Sequence, residues 1–155
     1  MPIQEQRFGR RIAMSQQERD AFLAVERTCR VASVAPDGTP HVTPLWFVWH
    51  EQCLWVYSLI RSKRWANLGA NPSVSVVVDA GDGYLELRGV ELVGNARPVG
   101  EQPRRGDPSP ELEPVERAFS RKYGGGEGMA YDGRHAWLRI TPQRAYSWDF
   151  RKLGG

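Results

Sequence analysis

The hydrophobic pattern of the chain is mostly that of strands, broken three times by helical spacing. Residues 1–13 follow neither rhythm and read as a polar arm. Ser15 followed by Glu18 has the form of a capping box. Phe22, Leu23 and Val25 come next, which predicts a helix of about 11 residues ending near Arg27. Cys29–Ala35 is small, β-branched and weakly alternating, and Pro36-Asp37-Gly38 is a turn signal. Pro40–His50 reads as the returning strand, so 29–50 forms a predicted hairpin. Pro40 and Pro44 have no N–H for a ladder, which places an edge or a bulge where this strand begins. Glu51-Gln52 turns into Leu54–Ser58, a strand apolar on both faces, as in a barrel wall that also meets a partner. A short helix over Ser62–Gly69, with Trp65 and Leu68 on one face, ends at Asn71-Pro72.

Val74–Asp79 reads as a strand and Gly81-Asp82-Gly83 as a turn. Tyr84–Val99 is a long extended segment in which Gly89 and Gly94 mark bends. Residues 100–110 are loop by composition. Glu113–Tyr123 is the third helix, with Pro114 in its first turn and Val115, Ala118, Phe119 and Lys122 at helical spacing. Gly124-Gly125-Gly126 reads as its end and the start of a mobile loop. His135–Ser147 is the last strand, and 148–155 is a tail. Six or seven strands, three helices and no βαβ rhythm predict a mainly β, closed or nearly closed antiparallel barrel, with residues 1–155 as a single domain.

A length of 155 residues with 41% hydrophobic and 25% charged content is enough for one buried core in an ordinary globular chain. The net charge of +3 favours anionic ligands but is too small to point to nucleic acid by itself. Cys29 and Cys53 lack metal spacing and sit in apolar runs, which reads as reduced, buried thiols. The start has no apolar signal core and no apolar run approaches a membrane span, so the expectation is a cytoplasmic protein with no membrane partner.

The sharpest chemical feature lies between Leu54 and Val78. Arg61, Lys63 and Arg64, with Ser62 among them, crowd the start of the short helix. A helix N-terminus already carries partial positive charge, so cations there oppose the local field unless an anion lies between them. A solvated basic turn is the plain alternative. Ser58 ends the preceding strand, and Asn67 lies one turn along the helix, placed to point back toward such a ligand. The second feature is the strand beginning at Thr43. Thr43, Leu45, Phe47 and Trp49 share one face, and Pro44, Trp46, Val48 and His50 the other. A ring could lie against this wall, with Trp46 facing it; the same aromatics equally suit a core or a subunit interface. His41, His50 and His135 have no metal spacing, and no nucleophile elbow, phosphate loop or catalytic side-chain set is evident. No metal site and no catalytic residue are assigned. Trp148 and Phe150 in the tail need cover, from a partner subunit or from the chain's own barrel. Arg151 and Lys152 would add positive charge to a shared site.

These motifs resemble one family. The hairpin, the TPLWFVW strand, the strand ending Tyr57-Ser58, the RSKRWANL helix, the NP turn and the VSVVVD strand are similar to the pyridoxamine 5′-phosphate oxidase-like split β-barrel flavoproteins. RGVELVGNARPV and the closing WLRITPQRAYSWDFRKL agree, over about residues 18–153. The narrower likeness is to the short flavin/deazaflavin oxidoreductases, many of which use coenzyme F-420. The resemblance implies a six-stranded antiparallel split β-barrel with two or three flanking helices, forming a homodimer with cofactor sites at its interface. It implies a cofactor phosphate held by Ser58, Arg61, Ser62 and Lys63, with Arg64 and Asn67 as further members. The ring would lie along Thr43, Pro44, Leu45 and Trp46, on to Val48. The implied reaction is hydride transfer between F-420, or alternatively FMN, and a small organic substrate. The cations Arg64, Arg104, Arg105, Arg121 and Lys122 would suit the acidic tail of F-420. Vitamin B6 oxidation is not expected, since the C-terminal arginine motif for that substrate's phosphate is absent. The alternative is a non-catalytic flavin, deazaflavin, heme or biliverdin binding protein. A nucleic-acid-binding barrel with aromatic stacking platforms is the least favoured reading.

Overall fold

Strand propensity and turn chemistry place eight strands in one curled antiparallel sheet. A computed structural model describes residues 2–124 and 128–154. The elements are β1 (Gln4–Glu5), α1 (Gln16–Val25), β2 (Thr28–Val34), β3 (Pro40–Trp46), β4 (Val48–His50), β5 (Cys53–Leu59), α2 (Lys63–Ala70), β6 (Ser73–Ala80), β7 (Arg88–Val99), α3 (Glu113–Tyr123) and β8 (His135–Asp149). The hydrogen-bonded order is β3-β2-β6-β7-β8-β5-β4, with β1 added to β8 in parallel. β3 and β4 end the order on opposite sides yet follow one another in the chain, so the chain itself closes the curl into a split barrel. Counted as one strand broken at a corner, they bring the long strands to the expected six.

The break is a correction to the continuous strand read over Pro40–His50. Alternation holds to Trp46, but Phe47 and Val48 are both buried, at 0% and 2% exposure. The chain turns there from pairing with β2 to pairing with β5. Pro40 and Pro44 do lie on an edge strand, as their missing N–H groups require. The extended segment expected from Tyr84 begins instead with a 3-10 turn, Tyr84–Glu86, and becomes a strand only at Arg88. Ser15 caps α1 with the reciprocal bonds of a capping box: its Oγ accepts from Glu18 N–H at 3.1 Å, and Ser15 N–H donates to the Glu18 carboxylate at 2.8 Å. Gly124 ends α3 in the left-handed region at φ 98. The rest of the expected glycine loop, Gly125 and Gly126, lies outside the described residues.

The N-terminal arm docks rather than floats. Gln6 exchanges two bonds with the Ser147 backbone, and the buried Arg19 pairs with Glu5 at 2.9 Å. The tail packs on its own barrel and stays partly exposed. Trp148 packs over Gly89, and Phe150 lies 5.1 Å from Tyr84. Arg151 pairs with Asp149, and Lys152 with Glu18. Inside the barrel, Cys29, Val31, Leu54, Val56, Leu92 and Ile140 form the main core. The second apolar face of β5 packs against α3 and its approach: Trp55 clusters with Leu112, Val115 and Trp137. Cys29 is buried, Cys53 partly so, and both are free thiols. Among the described residues no helix is long and apolar enough to cross a membrane, and no three metal-ligating side chains converge.

Two features hold the sheet and α3 in place. At the β7–β8 bulge, Val93 faces Arg144 while Gly94 faces Pro142, so Gln143 is skipped. A Cβ on Gly94 would lie 2.0 Å from the Thr141 carbonyl oxygen, which is backbone and cannot move aside. Beneath α3, the buried Arg104 donates to both Glu116 oxygens at 2.9 Å, to the Glu101 carboxylate, and to the Asp107 carbonyl. Glu116 also accepts from Trp137 Nε1 and Tyr131 OH. Burial works against the Glu101 carboxylate, but N–H donors of Asp107 and Arg105 and the Arg104 guanidinium together hold it down at about 2.

Gly94→Ala is therefore expected to destabilise by about 2–3 kcal/mol through overpacking, read as a lower urea midpoint at unchanged slope. Arg104→Met strands two carboxylates and is expected to cost about 3–5 kcal/mol in the same assay. The stabilisation from Glu101, whose folded value lies below its ordinary 4.5, is present above that pH and is lost as pH falls toward about 2. Melting temperatures of the wild type should fall across that window, and those of Arg104→Met should fall less.

Candidate functional site

The junction between β5 and α2 is set by Ser62. Its hydroxyl accepts from Trp65 N–H at 3.1 Å and donates to the Leu59 carbonyl at 2.8 Å, which fixes where the helix starts. The N–H groups of Lys63 and Arg64, in the first turn, have no acceptor within the helix. Lys63 is exposed there. Beside it, Arg61 and Ser62 line a cavity of about 460 Å³ together with Leu59, Pro103, Arg105 and Arg134. Among the described residues no carboxylate lines it, and Arg61 and Arg105 form no ion pair. Arg134 stands 3.6 Å from Asp132.

The remaining junction residues turn inward. Arg64 is 6% exposed. Its Nε and Nη2 donate to Ser58 Oγ at 3.1 and 3.0 Å, and its Nη1 donates to Thr43 Oγ1 at 2.7 Å. No carboxylate reaches this guanidinium among the described residues, and burial pulls its pKa below the ordinary value. Asn67 is buried and donates to Ser33 Oγ at 3.2 Å, on the β2 side, so it does not point back to the helix start. Arg61, Ser62 and Lys63 thus gather outside, while Ser58, Thr43, Arg64 and Asn67 gather inside the barrel mouth. Arg64 spans Ser58 and Thr43 and so ties the end of β5 to β3.

The β3 wall divides in the same way. Leu45 faces inward and packs on the main core. Pro44 and Trp46 face outward. Trp46 is half exposed and stacks on Tyr123, with centroids 4.3 Å apart and planes 8° from parallel. The Arg27 guanidinium lies 5.0 Å from the Tyr123 ring and 6.0 Å from that of Trp46. A second cavity, of about 300 Å³, opens against Trp46, Tyr57, Phe119 and Tyr123.

Sequence reasoning passed over several residues here. Asp132 and His135 form a close pair, with His135 Nδ1 2.6 Å from the carboxylate. Burial opposes the charge on Asp132, but N–H donation from Arg134 and the His135 contact hold its pKa below the ordinary value. An Asp three residues before a strand's first histidine was the available signal. Arg134 joins the cationic cavity from the same segment. Of the cations expected to receive an acidic tail, only Arg105 lines that cavity. Arg104 is consumed by Glu116 and Glu101. Lys122 donates to the Leu23 carbonyl and lies 3.8 Å over the Phe47 ring, where burial lowers it to about 8. Arg121 is exposed on the last turn of α3.

The fold has many counterparts among solved structures. The conserved hypothetical protein Rv2991 from Mycobacterium tuberculosis matches with a TM-score of 0.79 and 32% identity over 93% of this chain and 90% of its own. An F-420 reductase matches at a TM-score of 0.63 and 22% identity, over 82% and 94%. The heme storage protein HutZ from Vibrio cholerae matches at 0.67 and 18%, over 86% and 94%. At the identities of these last two, the likeness concerns the fold alone. No curated protein matches the chain. The family model described as pyridoxamine 5′-phosphate oxidase matches residues 15–149, nearly the whole of the sheet and its helices. The chain belongs to the pyridoxamine 5′-phosphate oxidase family.

Proposed function

We propose that the protein is an oxidoreductase that binds a deazaflavin, coenzyme F-420, or alternatively FMN, and passes a hydride between it and a small organic substrate. The observation that carries this reading is the cavity at the start of α2, where Arg61, Arg105 and Arg134 face one space that no carboxylate lines among the described residues. Clustered guanidinium groups with free helix N–H donors beside them suit phosphate or carboxylate oxygens. The residues fit such an anion. Arg61, Ser62 and Lys63 would hold the phosphate. Arg105 and Arg134 extend the positive surface beyond what one phosphate engages, which supports a cofactor with an acidic tail over FMN. Ser58, Arg64 and Thr43 would brace this site against β3, where Pro44 and Trp46 offer the outward wall for a ring. The bound ring supplies the redox chemistry, and the chain supplies anion binding, ring orientation and exclusion of water.

We further propose a homodimer. Val34, Val42 and Trp46 are 38%, 63% and 50% exposed on the outer face of β2 and β3, and β3 has no strand on its far side. Such an apolar strip beside an open edge suits burial by a second copy.

Titration of the purified protein with F-420 and with FMN, read by fluorescence, is expected to give binding below about 0.1 mM for at least one, equivalent to about −5.5 kcal/mol. Lys63→Ala is expected to weaken it by roughly 1.5–3 kcal/mol, as loss of a charge-assisted hydrogen bond does, without lowering the melting temperature. Absence of binding by both cofactors overturns the reading. Binding with no oxidation of the reduced cofactor by any enone, quinone or biliverdin would make the protein a carrier instead. Sedimentation equilibrium is expected to give twice the 17.5 kDa of one chain. Val42→Glu is expected to shift that mass toward the single chain.

A further inference from the structure

The N-terminal arm touches the end of β8 twice, and the residues between the two contacts form a turn. At the first contact Gln6 Nε2 donates to the Ser147 carbonyl at 3.1 Å and to the Phe8 carbonyl at 2.9 Å, and Gln6 Oε1 accepts from Ser147 N–H at 2.7 Å. At the second, Asp149 N–H donates to the Ile12 carbonyl at 2.7 Å. Within the turn Ile12 N–H donates to the Gly9 carbonyl at 3.2 Å, so its backbone is bonded at both ends and inside. The turn carries Arg7, Phe8, Arg10 and Arg11, all exposed. At 88%, Phe8 is the most exposed large apolar side chain among the described residues. A lone exposed ring is ordinary. A ring set on a bonded turn among three cations is a more specific combination. Arg7 and Phe8 also line a depression of about 260 Å³ together with Arg144 and Tyr146 of β8. Among the described residues none of Arg7, Arg10, Arg11 and Arg144 forms an ion pair. Glu5 lines the depression too, but its carboxylate accepts both of its bonds from Arg19.

We propose that this turn is a peripheral docking surface for an anionic lipid bilayer, with Phe8 entering the acyl boundary and Arg7, Arg10, Arg11 and Arg144 on the headgroup phosphates. Guanidinium groups pair with phosphate oxygens in a planar, two-bond geometry. A bilayer surface offers those oxygens directly above an apolar layer, which answers the cations and the ring together. An acidic peptide answers the charge and leaves the ring uncovered. A nucleic acid also answers the charge, but one ring supplies no run of stacking faces. The expectation of no membrane partner rests on the lack of a spanning segment, and a peripheral contact needs none. The turn is remote from the cationic cavity: Arg134, which lines that cavity, immediately precedes β8, and Ser147 lies about 40 Å further along the strand. Docking is therefore independent of the oxidoreductase reading and leaves the cofactor end of the barrel free.

The test is co-sedimentation of the full-length protein with vesicles of phosphatidylcholine alone and of phosphatidylcholine with one-third phosphatidylglycerol, at about 0.1 M salt. The wild type is expected to partition onto the anionic vesicles at least about 10-fold more strongly than onto the neutral ones. Replacing Arg10 and Arg11 together by Gln is expected to weaken that partition about 10- to 30-fold. Phe8→Ala, which keeps every charge, is expected to weaken it about 5- to 10-fold. Both variants are expected to keep the wild-type melting temperature, because the side chains removed are exposed. Arg61→Gln, which removes the same charge at the cationic cavity, is expected to leave vesicle binding unchanged. Equal partition onto the two kinds of vesicle, or none onto either, overturns the proposal. So does anionic binding that survives the double arginine change, or that falls equally in Arg61→Gln. Loss from Phe8→Ala of no affinity at all would reduce the contact to charge alone and overturn the insertion of the ring. Release from the vesicles by inorganic phosphate or by single-stranded RNA, at matched ionic strength, would assign the turn to a soluble anion or to nucleic acid instead.

Discussion

One phenol holds the corner on which the barrel closes. At Phe47 the chain leaves β2 and joins β5, so the backbone there lacks its regular ladder partners. The Tyr123 hydroxyl accepts from Phe47 N–H at 3.0 Å and lies within donating reach of the Arg27 carbonyl at 2.7 Å and the Phe47 carbonyl at 2.9 Å. Unpaired backbone groups at a buried corner are costly, and a single side chain removes that cost. Tyr123 is also the last residue of α3, so the same bond anchors the helix that covers β5. Its ring is the stacking partner of Trp46. Barrel closure, helix docking and the aromatic wall are therefore one interaction seen from three sides.

The arginines show how burial sorts chemically identical groups. Arg104 is buried with two carboxylates, and the pair network is fully bonded and structural. Arg64 is buried with hydroxyls alone, which cannot neutralise it. Its charge therefore remains as positive potential at the barrel mouth, close to α2 and its outward cations. Even there the Cys29 thiol stays protonated: burial pushes it up to about 12 against the opposing pull of Arg64 and Lys122. Among the described residues no carboxylate answers Arg64, and its two hydroxyl partners alone hold it in place.

Periodicity made most of the elements legible. The α3 boundaries, the Ser15 capping box and the edge position of β3 follow from helical spacing, cap chemistry and proline. The break at Phe47 does not, because a change of strand partner alters no residue type. It becomes visible only when both ends of the sheet are known. Tyr84 was misplaced for a related reason: its apolar neighbour Leu85 suits a strand, while the Glu86 carboxylate accepts from Gly83 N–H and favours a turn. The site was legible in part. Cations at a helix start were readable from Arg61 to Arg64, but not that Arg64 points inward. Arg104 and Arg105 are adjacent and identical in sequence, yet one is locked under α3 and the other lines a cavity. That difference depends on Glu116, a turn and a helix away.

The end of β5 shows why register carries the chemistry. Pairing with β8 sets Tyr57 against Trp137, Ser58 against Ala136 and Leu59 against His135. Tyr57 and Leu59 therefore share the outer face, about 6.6 Å apart along the strand, while Ser58 faces in toward Arg64. Tyr57 lines the aromatic cavity and Leu59 the cationic one. Two neighbouring spaces of opposite character thus arise from alternate residues of one strand. A slip of one residue would aim Ser58 outward and bury Tyr57 and Leu59 in the barrel. It would also cost Arg64 its Ser58 acceptor and untie the end of β5 from α2 and β3. The apolar inner residues Leu54 and Val56, both fully buried, oppose that slip, so the core that folds the barrel also keeps the cationic and the aromatic cavity apart.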